Sequence, residues 1–428
     1  MDKTYLTIDD VRQDITEKLV FCRVDTNTTL RDGNIHLNER IHSAAATIKR
    51  LTDLHVKVIV GTHNGRKGGV DMVTLTDLVY RFKGLGVEIH YVGNSYEGQR
   101  PNEPTMRAIR DVQPGYALLL ENLRFLESED ETLSPEAHAR HPFVRTLIDE
   151  LGLAYVVNDA FSVAHRAHMS VCGFDEIPNV AGLTMDRELS SMATIHDHFQ
   201  RREPGKTNVY ILGGKKVQDY FSLLEHSLRN GKVDRVLAGG YLGLLCLFVQ
   251  GKAIGQETTA ALQKKGLTSP LYRDKMQVLL TTYPENFVVP VDLAYDVKGA
   301  RQEVLVDDQS RAIKDHARAL DIGHRTTEMF ASALQNAGLI YVKGPLGVYE
   351  SPQFNYGSRS IMNAVATSEG FSVMGGGDTS AMLDEFKIRK DEINHISLAG
   401  GALILAMADQ KLPGVETLQR SYERYKKR

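Results

Sequence analysis

Four apolar stretches in the second half of the chain end in two or three glycines. They are ILGG at 211–214, VLAGG at 236–240, VMGGG at 373–377 and SLAGG at 397–401. Adjacent glycines lose much backbone freedom on folding, but without a Cβ their amides can approach an anion closely. A tight turn would explain any single pair. Four of them at predicted strand ends favour an anion-binding edge, because open parallel sheets bind ligands beyond the carboxyl ends of their strands.

The stretch VMGGGDTSAM, at 373–382, continues from glycines into a predicted helix. A helix that begins after such a loop turns its amide dipoles toward the ligand, which favours phosphate. Asp378 and Thr379 stand at the expected helix start, where they could cap it. Asp378 could also hold a divalent cation that bridges phosphates, and the two roles can coexist. The chain has no Walker A pattern and no G-x-G-x-x-G opening a βαβ unit, so a nicotinamide cofactor is disfavoured.

Two lysines, Lys215 and Lys216, directly follow ILGG. Transfer of a phosphoryl group depends on positive charge near the oxygens of the moving group more than on covalent chemistry. A lysine at a glycine-lined strand end can supply that charge. Because adjacent side chains rarely face the same way, we expect one of the two to point to solvent.

The first half of the chain carries a second set of chemical groups, beside the ends of several predicted strands. Arginine binds carboxylates and phosphates in a bidentate manner. A single exposed arginine would simply be solvated, whereas repeated arginines suit a small acid with several negative charges. The two histidines of AHRAH lack Cys or carboxylate partners and form only a weak zinc motif. The whole set comprises Asp25, Asn27, Arg40, His63, Arg66, Arg124, His165, Arg166 and His168.

Apolar, β-branched runs that alternate with amphipathic segments must position these groups. The predicted strands are KLVFCRVD, VKVIVGTH, GVEIHYVG, YALLLENL and AYVVNDAF, then TNVYILGG, DRVLAGG, FVVPVDLA, GLIYVKGP, FSVMGGGD and HISLAGG. This alternation is typical of parallel sheets covered on both faces. We therefore predict an α/β fold of two doubly wound parallel-sheet domains. A helix in LTMDRELSSMATIHDHFQ, ended by Pro204 and Gly205, is the predicted linker.

Size and composition limit the possible functions. A chain of 428 residues exceeds one ordinary core and predicts two or three domains, and two domains imply a cleft between them. The formal net charge of -3 favours neither nucleic acid nor a membrane as partner. Cys22, Cys172 and Cys246 lie far apart in apolar runs, which predicts buried free thiols in a reducing compartment. The acidic N-terminus and the lack of a long apolar run predict a cytoplasmic protein.

Nine motifs, in order across nearly the whole chain, resemble phosphoglycerate kinase, in details closest to archaeal members. They are VFCRVDTN, VIVGTHNGR, LLLENLRF, VVNDAFSVAHRAHMS, VYILGGKKV, DIGHRTTEMF, KGPLGVYE, FSVMGGGDTSA and HISLAGGA. The resemblance implies two Rossmann-like lobes joined by a helix. It also implies a glycolytic and gluconeogenic enzyme that transfers a phosphoryl group reversibly, with Mg²⁺, between 1,3-bisphosphoglycerate and ADP, giving 3-phosphoglycerate and ATP. We expect a monomer or a homodimer.

The resemblance implies a division of the chain and a role for each site residue. The implied parts are a 3-phosphoglycerate-binding domain, a linker helix, a nucleotide-binding domain and a segment that returns to the first domain, at 1–183, 184–204, 205–410 and 411–428. The implied phosphoglycerate ligands are Asp25, Asn27, Arg40, His63, Arg66, Arg124 and Arg166. The implied nucleotide site comprises Gly213, Gly214, Lys216, Gly239, Gly240, Lys343, Gly344, Pro345, Glu350, Gly375, Gly376, Gly377, Asp378 and Thr379.

Some of these residues have more specific implied roles. Arg40, Lys216 and Gly376 are expected to act on the transferring phosphoryl group. Glu350 is expected to bind the ribose, and Asp378 the Mg²⁺ ion.

The chain departs from the family pattern at three positions of the nucleotide side. Tyr220 stands where many members have a second lysine, Lys343 where the family has asparagine before Gly-Pro, and Lys215 where it has alanine. Our hypothesis is that Lys343 restores the positive charge that is missing at Tyr220, and the alternative is that Lys343 points outward. Two other functions stay open: a binding paralogue with weakened catalysis, and a kinase of another small carboxylate.

Overall fold

The computed structural model describes residues 3–308 and 311–426, with the side chains of residues 311, 312 and 378 left out. The chain forms two compact units. Unit 1 comprises Met1–Ala193 together with Gln410–Arg428, and unit 2 comprises Thr194–Asp409. Within the described residues, no helix has both the length and the apolar character needed to cross a membrane.

Unit 1 is built on a six-stranded parallel sheet. The strands of unit 1 are β1 (Leu19–Arg23), β2 (Leu30–Arg31), β3 (Asn34–Ile35), β4 (Lys57–Gly61), β5 (Ile89–Val92), β6 (Tyr96–Glu97), β7 (Arg100–Pro101), β8 (Ala117–Leu120), β9 (Tyr155–Asn158) and β10 (Asn179–Ala181). The sheet order is β10-β9-β1-β4-β8-β5, and β2-β3 and β6-β7 are small hairpins. The central strands are almost wholly buried, because both faces of the sheet are covered.

Helices precede, separate and follow these strands along the chain, and the one at Leu183–Gln200 begins in unit 1 and ends in unit 2. They are α1 (Arg12–Ile15), α2 (Glu39–Asp53), α3 (Thr76–Gly84), α4 (Glu103–Asp111), α5 (Pro135–His138), α6 (Pro142–Arg145), α7 (Met169–Cys172) and α8 (Leu183–Gln200). Helix α2 begins where the Asn38 side chain accepts a hydrogen bond from the Ile41 amide. Helix α8 begins where Asp159, just past β9, accepts hydrogen bonds from the amides of Thr184 and Met185 at 2.7 and 3.2 Å. The predicted linker at 184–204 therefore overlaps α8.

Unit 2 contains a second six-stranded parallel sheet and a three-stranded antiparallel one. Its strands are β11 (Thr207–Leu212), β12 (Arg235–Ala238), β13 (Phe287–Val288), β14 (Asp292–Val297), β15 (Ala300–Leu305), β16 (Arg318–Ile322), β17 (Ala337–Lys343), β18 (Phe371–Gly375) and β19 (His395–Ser397). The orders are β13-β12-β11-β17-β18-β19 and β15-β14-β16. The parallel sheets of both units confirm the predicted fold class.

The stretch FVVPVDLA was predicted as one strand of a parallel sheet, and this prediction is wrong in detail. Phe287 and Val288 pair in parallel with β12, whereas Asp292 begins β14, which pairs antiparallel with β15 and β16. Pro290 lies between the two strands and has no amide hydrogen to donate to a ladder. The run therefore contributes to two different sheets.

The helices of unit 2 lie between its strands, and one more helix follows in unit 1. They are α9 (Phe221–Arg229), α10 (Gly240–Val249), α11 (Gln256–Lys264), α12 (Pro270–Thr282), α13 (Arg311–Lys314), α14 (His324–Ala333), α15 (Tyr356–Ala366), α16 (Gly377–Phe386), α17 (Gly400–Met407) and finally α18 (Pro413–Lys426). Helix α18 is anchored in unit 1, because the Asn179 amide of β10 donates to Ser421 Oγ at 2.8 Å. The Gly414 amide also donates to the Ala164 carbonyl at 2.9 Å.

Each parallel sheet has one point where the strand order reverses. In unit 1 the first strand, β1, lies between β4 and β9, and in unit 2 the first strand, β11, lies between β12 and β17. Loops that leave neighbouring strands in opposite directions open a crevice beyond their carboxyl ends. The groups of both candidate sites lie in the loops at these ends.

Candidate active site

In unit 1, the predicted anion ligands come together at the carboxyl ends of neighbouring strands. Asp25 and Asn27 follow β1, His63 and Arg66 follow β4, Arg124 follows β8, and Arg166 lies in the loop after β9. Arg40 lies in the first turn of α2, directly after the β1 loop and its hairpin. The sequence predicts this grouping correctly, because adjacent parallel strands end at the same edge.

The loop after β1 is held by hydrogen bonds among three of these residues. Arg40 Nη1 lies 3.1 Å from Asp25 Oδ2 and donates to the Asn27 carbonyl at 3.3 Å. Asp25 Oδ1 accepts from the Asn27 amide at 2.9 Å. Asn27 Oδ1 accepts from the Gly65 amide at 2.9 Å, which ties this loop to the one after β4. The Arg40 side chain is 27% exposed and so remains within reach of a ligand.

His63 is a neutral, buried histidine beside several guanidiniums. Its Nδ1 lies 3.1 Å from Arg23 Nη2. Burial, and then the charges of Arg23 and Arg124, place the pKa of His63 well below its usual value. Since a guanidinium can only donate, Nδ1 accepts and the ring proton must reside on Nε2. His63 therefore has one N–H donor to offer an anion.

Three further arginines crowd together in this unit. Arg124 is 5% exposed and its Nη1 contacts Asp130 Oδ2 at 2.5 Å, while its Nε has no hydrogen-bond partner among the described residues. Arg66 and Arg166 are exposed. Partial burial, and then the charges of Arg124 and Arg66, lower the pKa of Arg166. Cations this close repel one another, so an anion bound among them would be strongly stabilised.

Arg23 and Glu129 belong to this region but were not predicted from the sequence. Arg23 is fully buried, donates to Ser170 Oγ at 2.8 Å through Nε, and lies 3.8 Å from Glu129 Oε1. Glu129 in turn accepts from the hydroxyl and the amide of Ser170 at 2.6 and 3.0 Å. This buried network fixes the guanidinium that orients His63. One signal could have revealed Arg23: it lies two residues before Asp25, and side chains so spaced along a strand share a face.

In unit 2, the glycines of ILGG and VLAGG do not form the predicted amide cradle. The amides of Gly213 and Gly214 donate to the carbonyls of Lys343 and Pro345 at 2.8 and 2.6 Å. Gly240 donates to the Leu346 carbonyl at 3.0 Å. Donors already used in this way cannot bind a phosphate.

These glycines instead let three strand-end loops touch. A Cβ added to Gly213 would lie 2.2 Å from the Pro345 carbonyl oxygen, and one on Gly239 would lie 2.2 Å from Leu346 Cδ2. Gly344 has a φ of +78°, and a Cβ there would lie 2.6 Å from the Gly213 oxygen. Only glycine permits this packing.

The packed loops form one end of a cavity within unit 2. Apolar side chains supply much of its wall, Lys215 lies at the edge near Gly214, and the exposed Glu350 lies at the rim. An apolar wall with a carboxylate among its lining residues suits a nucleoside, whose base is largely apolar and whose sugar carries hydroxyl groups. The other lining residues include Gly240, Tyr241, Leu244, Leu293, Leu320, Pro345 and Val348.

The glycine triplet 375–377 differs from the glycines of ILGG and VLAGG, because a Cβ built on Gly377 would meet open space. Gly376 has a φ of +97° and precedes α16, and no described side chain caps that helix. Apart from its chain neighbours and the backbone of its own helix, no described atom lies within 4 Å of a Cβ built on Gly377. The Thr379 hydroxyl donates to the Gly375 carbonyl at 2.9 Å and accepts from the Gly344 amide at 3.0 Å. The side chain of Asp378 lies outside the described part of the structure.

The charged groups near the triplet differ in exposure. Lys215 and Lys216 are both exposed, whereas Lys343 at the end of β17 is 8% exposed and its Nζ donates to the Gly400 carbonyl at 3.2 Å. The alternative that Lys343 points outward is therefore wrong. Tyr220 is also buried, and its hydroxyl donates to the carbonyls of Gly213 and Lys343. Tyr220 thus ties the backbone at Gly213 to the backbone at Lys343.

Comparisons with known proteins identify the family of the chain. A family model described as phosphoglycerate kinase matches residues 8–410. Phosphoglycerate kinases of Thermococcus sibiricus and Pyrococcus abyssi are 33% and 34% identical to the chain, and each alignment covers 96% of both chains. The crystal structure of phosphoglycerate kinase from Pyrococcus horikoshii has a TM-score of 0.85 at 31% identity, over 98% of this chain and 99% of that one.

Proposed function

The chain belongs to the phosphoglycerate kinase family and is a kinase, and we propose that the sites in its two units bind the two substrates of that reaction separately. Unit 1 binds 3-phosphoglycerate or 1,3-bisphosphoglycerate, and unit 2 binds ATP or ADP. The enzyme transfers one phosphoryl group reversibly between them. The observation that carries this division is the arginine cluster of unit 1, in which several guanidiniums lie close enough to His63 and to Arg166 to lower their pKa values.

The acid would be held in unit 1 by complementary charge. Its phosphate and carboxylate groups would contact Arg66, Arg124 and Arg166. His63 would donate through Nε2, since its Nδ1 is occupied by Arg23. Arg40, fixed by Asp25 and Asn27, would lie closest to the group that moves.

The nucleotide would be held in unit 2 by shape and by backbone dipoles. The base would occupy the apolar cavity, and the exposed Glu350 would accept hydrogen bonds from the ribose. The phosphates would extend to Gly375, Gly376 and Gly377, where α16 begins without a side-chain cap and a Cβ on Gly377 would meet open space. Gly213, Gly214, Gly239, Gly240, Gly344 and Pro345 would shape the base site by packing, with their amide donors largely committed to other loops.

The residues present also fit a magnesium ion. Asp378 is the second residue of α16, a helix whose N-terminus has room for phosphate oxygens. Mg²⁺ is usually held by one or two carboxylates together with substrate phosphates. When bound, the ion would neutralise charge on those phosphates. The Thr379 hydroxyl is bonded to backbone groups, so Thr379 would contribute through its amide.

The chemistry needs positioning and charge rather than a covalent intermediate. Lys216 is exposed beside the glycine loops, and it would stabilise the equatorial oxygens of the transferring group. The amides after Gly376 would share that task. Since both substrates are anions, the protein must supply most of the compensating charge.

A coupled assay of ATP consumption with 3-phosphoglycerate and Mg²⁺ tests this function. We expect the wild-type chain to turn over and Lys216→Ala to lose about 10² to 10³ in kcat, the usual effect of removing one group that stabilises the transition state. Nucleotide binding without turnover would favour the binding paralogue. Turnover only with another carboxylic acid would favour the alternative kinase.

We also propose that the enzyme acts in the cytoplasm as a monomer or a homodimer. The three cysteines are free and buried, which fits a reducing compartment. Each proposed site is assembled within one unit of a single chain, so catalysis does not require a second copy. Sedimentation equilibrium of the purified chain, with and without ADP, would measure the oligomeric state.

A further inference from the structure

Lys343 brings a buried ammonium group to the glycine triplet. It is the last residue of β17, its side chain is almost fully buried, and its Nζ donates to the Gly400 carbonyl at 3.2 Å. Cβ atoms built on Gly376 and Gly400 would lie 3.6 and 2.9 Å from this Nζ. The ammonium therefore lies between these two glycines.

Two helices begin at this place. Gly376 caps α16, and Gly400 is the first residue of α17. The Gly400 Cα lies 4.0 Å from a Cβ built on Gly376, so the two helix starts are neighbours. Each helix N-terminus carries a partial positive charge, and the Lys343 ammonium adds a full one. The two helix N-termini and the Lys343 ammonium would therefore all attract an anion bound beside Gly376 and Gly400.

We propose that Lys343 is a catalytic residue that contacts the transferring phosphoryl group. This inference rests on the proposed function and deepens it. In the direction from ATP, the bond between the γ-phosphorus and the β–γ bridging oxygen breaks, while a bond from that phosphorus to a carboxylate oxygen of 3-phosphoglycerate forms. No proton is transferred, and Lys343 stays protonated throughout. Its charge, with that of Lys216, offsets the negative charge on the moving oxygens.

This role differs from a simple replacement for the lysine missing at position 220. Such a replacement would bind a phosphate that stays on ADP. Tyr220 holds the backbone carbonyl of Lys343, while the Lys343 side chain extends to Gly376 and Gly400. Gly376 is the residue expected to meet the moving group, so the ammonium is placed for transfer.

ADP distinguishes the two roles, because it lacks the transferring group. For Lys343→Met we expect kcat to fall by about 10²-fold, as for loss of one preorganised donor. The Kd for ADP should change less than about threefold. A fluoroaluminate complex of ADP and 3-phosphoglycerate, which mimics the moving group, should bind at least about tenfold more weakly than to wild type. Lys343→Asn, with a side chain of different shape, should give the same pattern.

Two controls test whether the loss of activity comes from misfolding or from the loss of any positive charge in unit 2. Urea unfolding of each variant should show that the protein is folded under the conditions of the assay. Lys206→Met removes the same charge just before β11, at the amino edge of the same sheet, from a partly exposed lysine 3.7 Å from Glu369. It should keep wild-type kcat.

Two results would overturn the assignment. One is a folded Lys343→Met that retains kcat within about threefold of wild type, and the other is a loss of ADP affinity that accounts for the whole loss of activity. Absence of turnover in the wild-type chain would instead contradict the proposed function itself, and this inference with it. Normal wild-type turnover with an unimpaired Lys343→Met would overturn only the role of Lys343.

Discussion

Replacing Gly377 with alanine should separate stability from activity, because a Cβ at this position meets no described protein atom but would meet a bound phosphate. Gly377 is the first residue of α16, its φ is not positive, and no described atom outside its chain neighbours and its own helix backbone lies within 4 Å of the added Cβ. A change from glycine to alanine at a compatible helical position stabilises a protein by about 0.4 to 1 kcal/mol. The urea midpoint of Gly377→Ala should therefore equal or exceed that of wild type.

The same methyl group should impair catalysis. It would stand beside the amide that we expect to donate to the phosphate, and loss of one such donor costs about 10² to 10³ in rate, or roughly 3 to 4 kcal/mol. We expect kcat/KM for ATP to fall by about 10²-fold in the coupled assay. The variant should thus be at least as stable as wild type and far less active.

Gly84→Ala is the matched control. Gly84 ends α3 in unit 1, has no positive φ, and likewise has no described atom within 4 Å of an added Cβ beyond its chain neighbours and its own helix backbone. It should gain similar stability and keep full activity. Our reasoning would be refuted if Gly377→Ala were folded and as active as Gly84→Ala. A marked loss of stability in Gly377→Ala would refute the claim that its surroundings are open.

Two further predictions concern buried residues. Tyr220→Lys should lower the free energy of unfolding, measured in urea, by about 1 to 3 kcal/mol. The substitution buries an ammonium and removes the donor to the carbonyls of Gly213 and Lys343. A variant with unchanged urea stability and a higher ADP affinity would count against this prediction. Burial, and then nearby arginines, lower the pKa of His168 to about 2, so only the unfolded state gains its proton as the pH falls below the usual value near 6.5. His168→Gln should therefore lose about 2 kcal/mol less stability than wild type between pH 7 and pH 5 in urea unfolding, and equal losses would contradict the buried, neutral state.

The parallel sheets could be predicted because their strands are buried on both faces and appear as continuous apolar runs. Pro290 shows where this pattern fails. FVVPVDLA has the composition of one strand, but only the tertiary structure reveals that its two halves pair in different sheets. The antiparallel sheet of unit 2 was missed for this reason.

The glycines show a different limit. A glycine that lets two loops touch and a glycine that binds phosphate both follow an apolar strand. The amides of Gly213 and Gly240 are bonded to neighbouring loops, whereas the N-terminus of α16 after Gly376 is open. A packing glycine and a phosphate-binding glycine differ only in the group to which the amide donates. The sequence does not reveal that group.

Buried charge was the hardest feature to predict. Arg23 ends an apolar strand and Glu129 lies in an acidic, polar loop more than 100 residues later, so the sequence does not show that the two side chains meet. They are brought together by the fold, with Ser170 between them. The exposed arginines were easier, since each follows a recognisable strand end.

Separate binding of the two substrates is the central claim, and calorimetric titration of Arg166→Met tests it most directly. Arg166 is exposed, so its replacement should leave the fold intact. Loss of one charge-assisted contact, worth about 1.5 to 3 kcal/mol, should weaken 3-phosphoglycerate binding by roughly 10- to 100-fold. The Kd for ADP should stay at the wild-type value. Unchanged binding of 3-phosphoglycerate, or an equal loss for both ligands, would contradict the account.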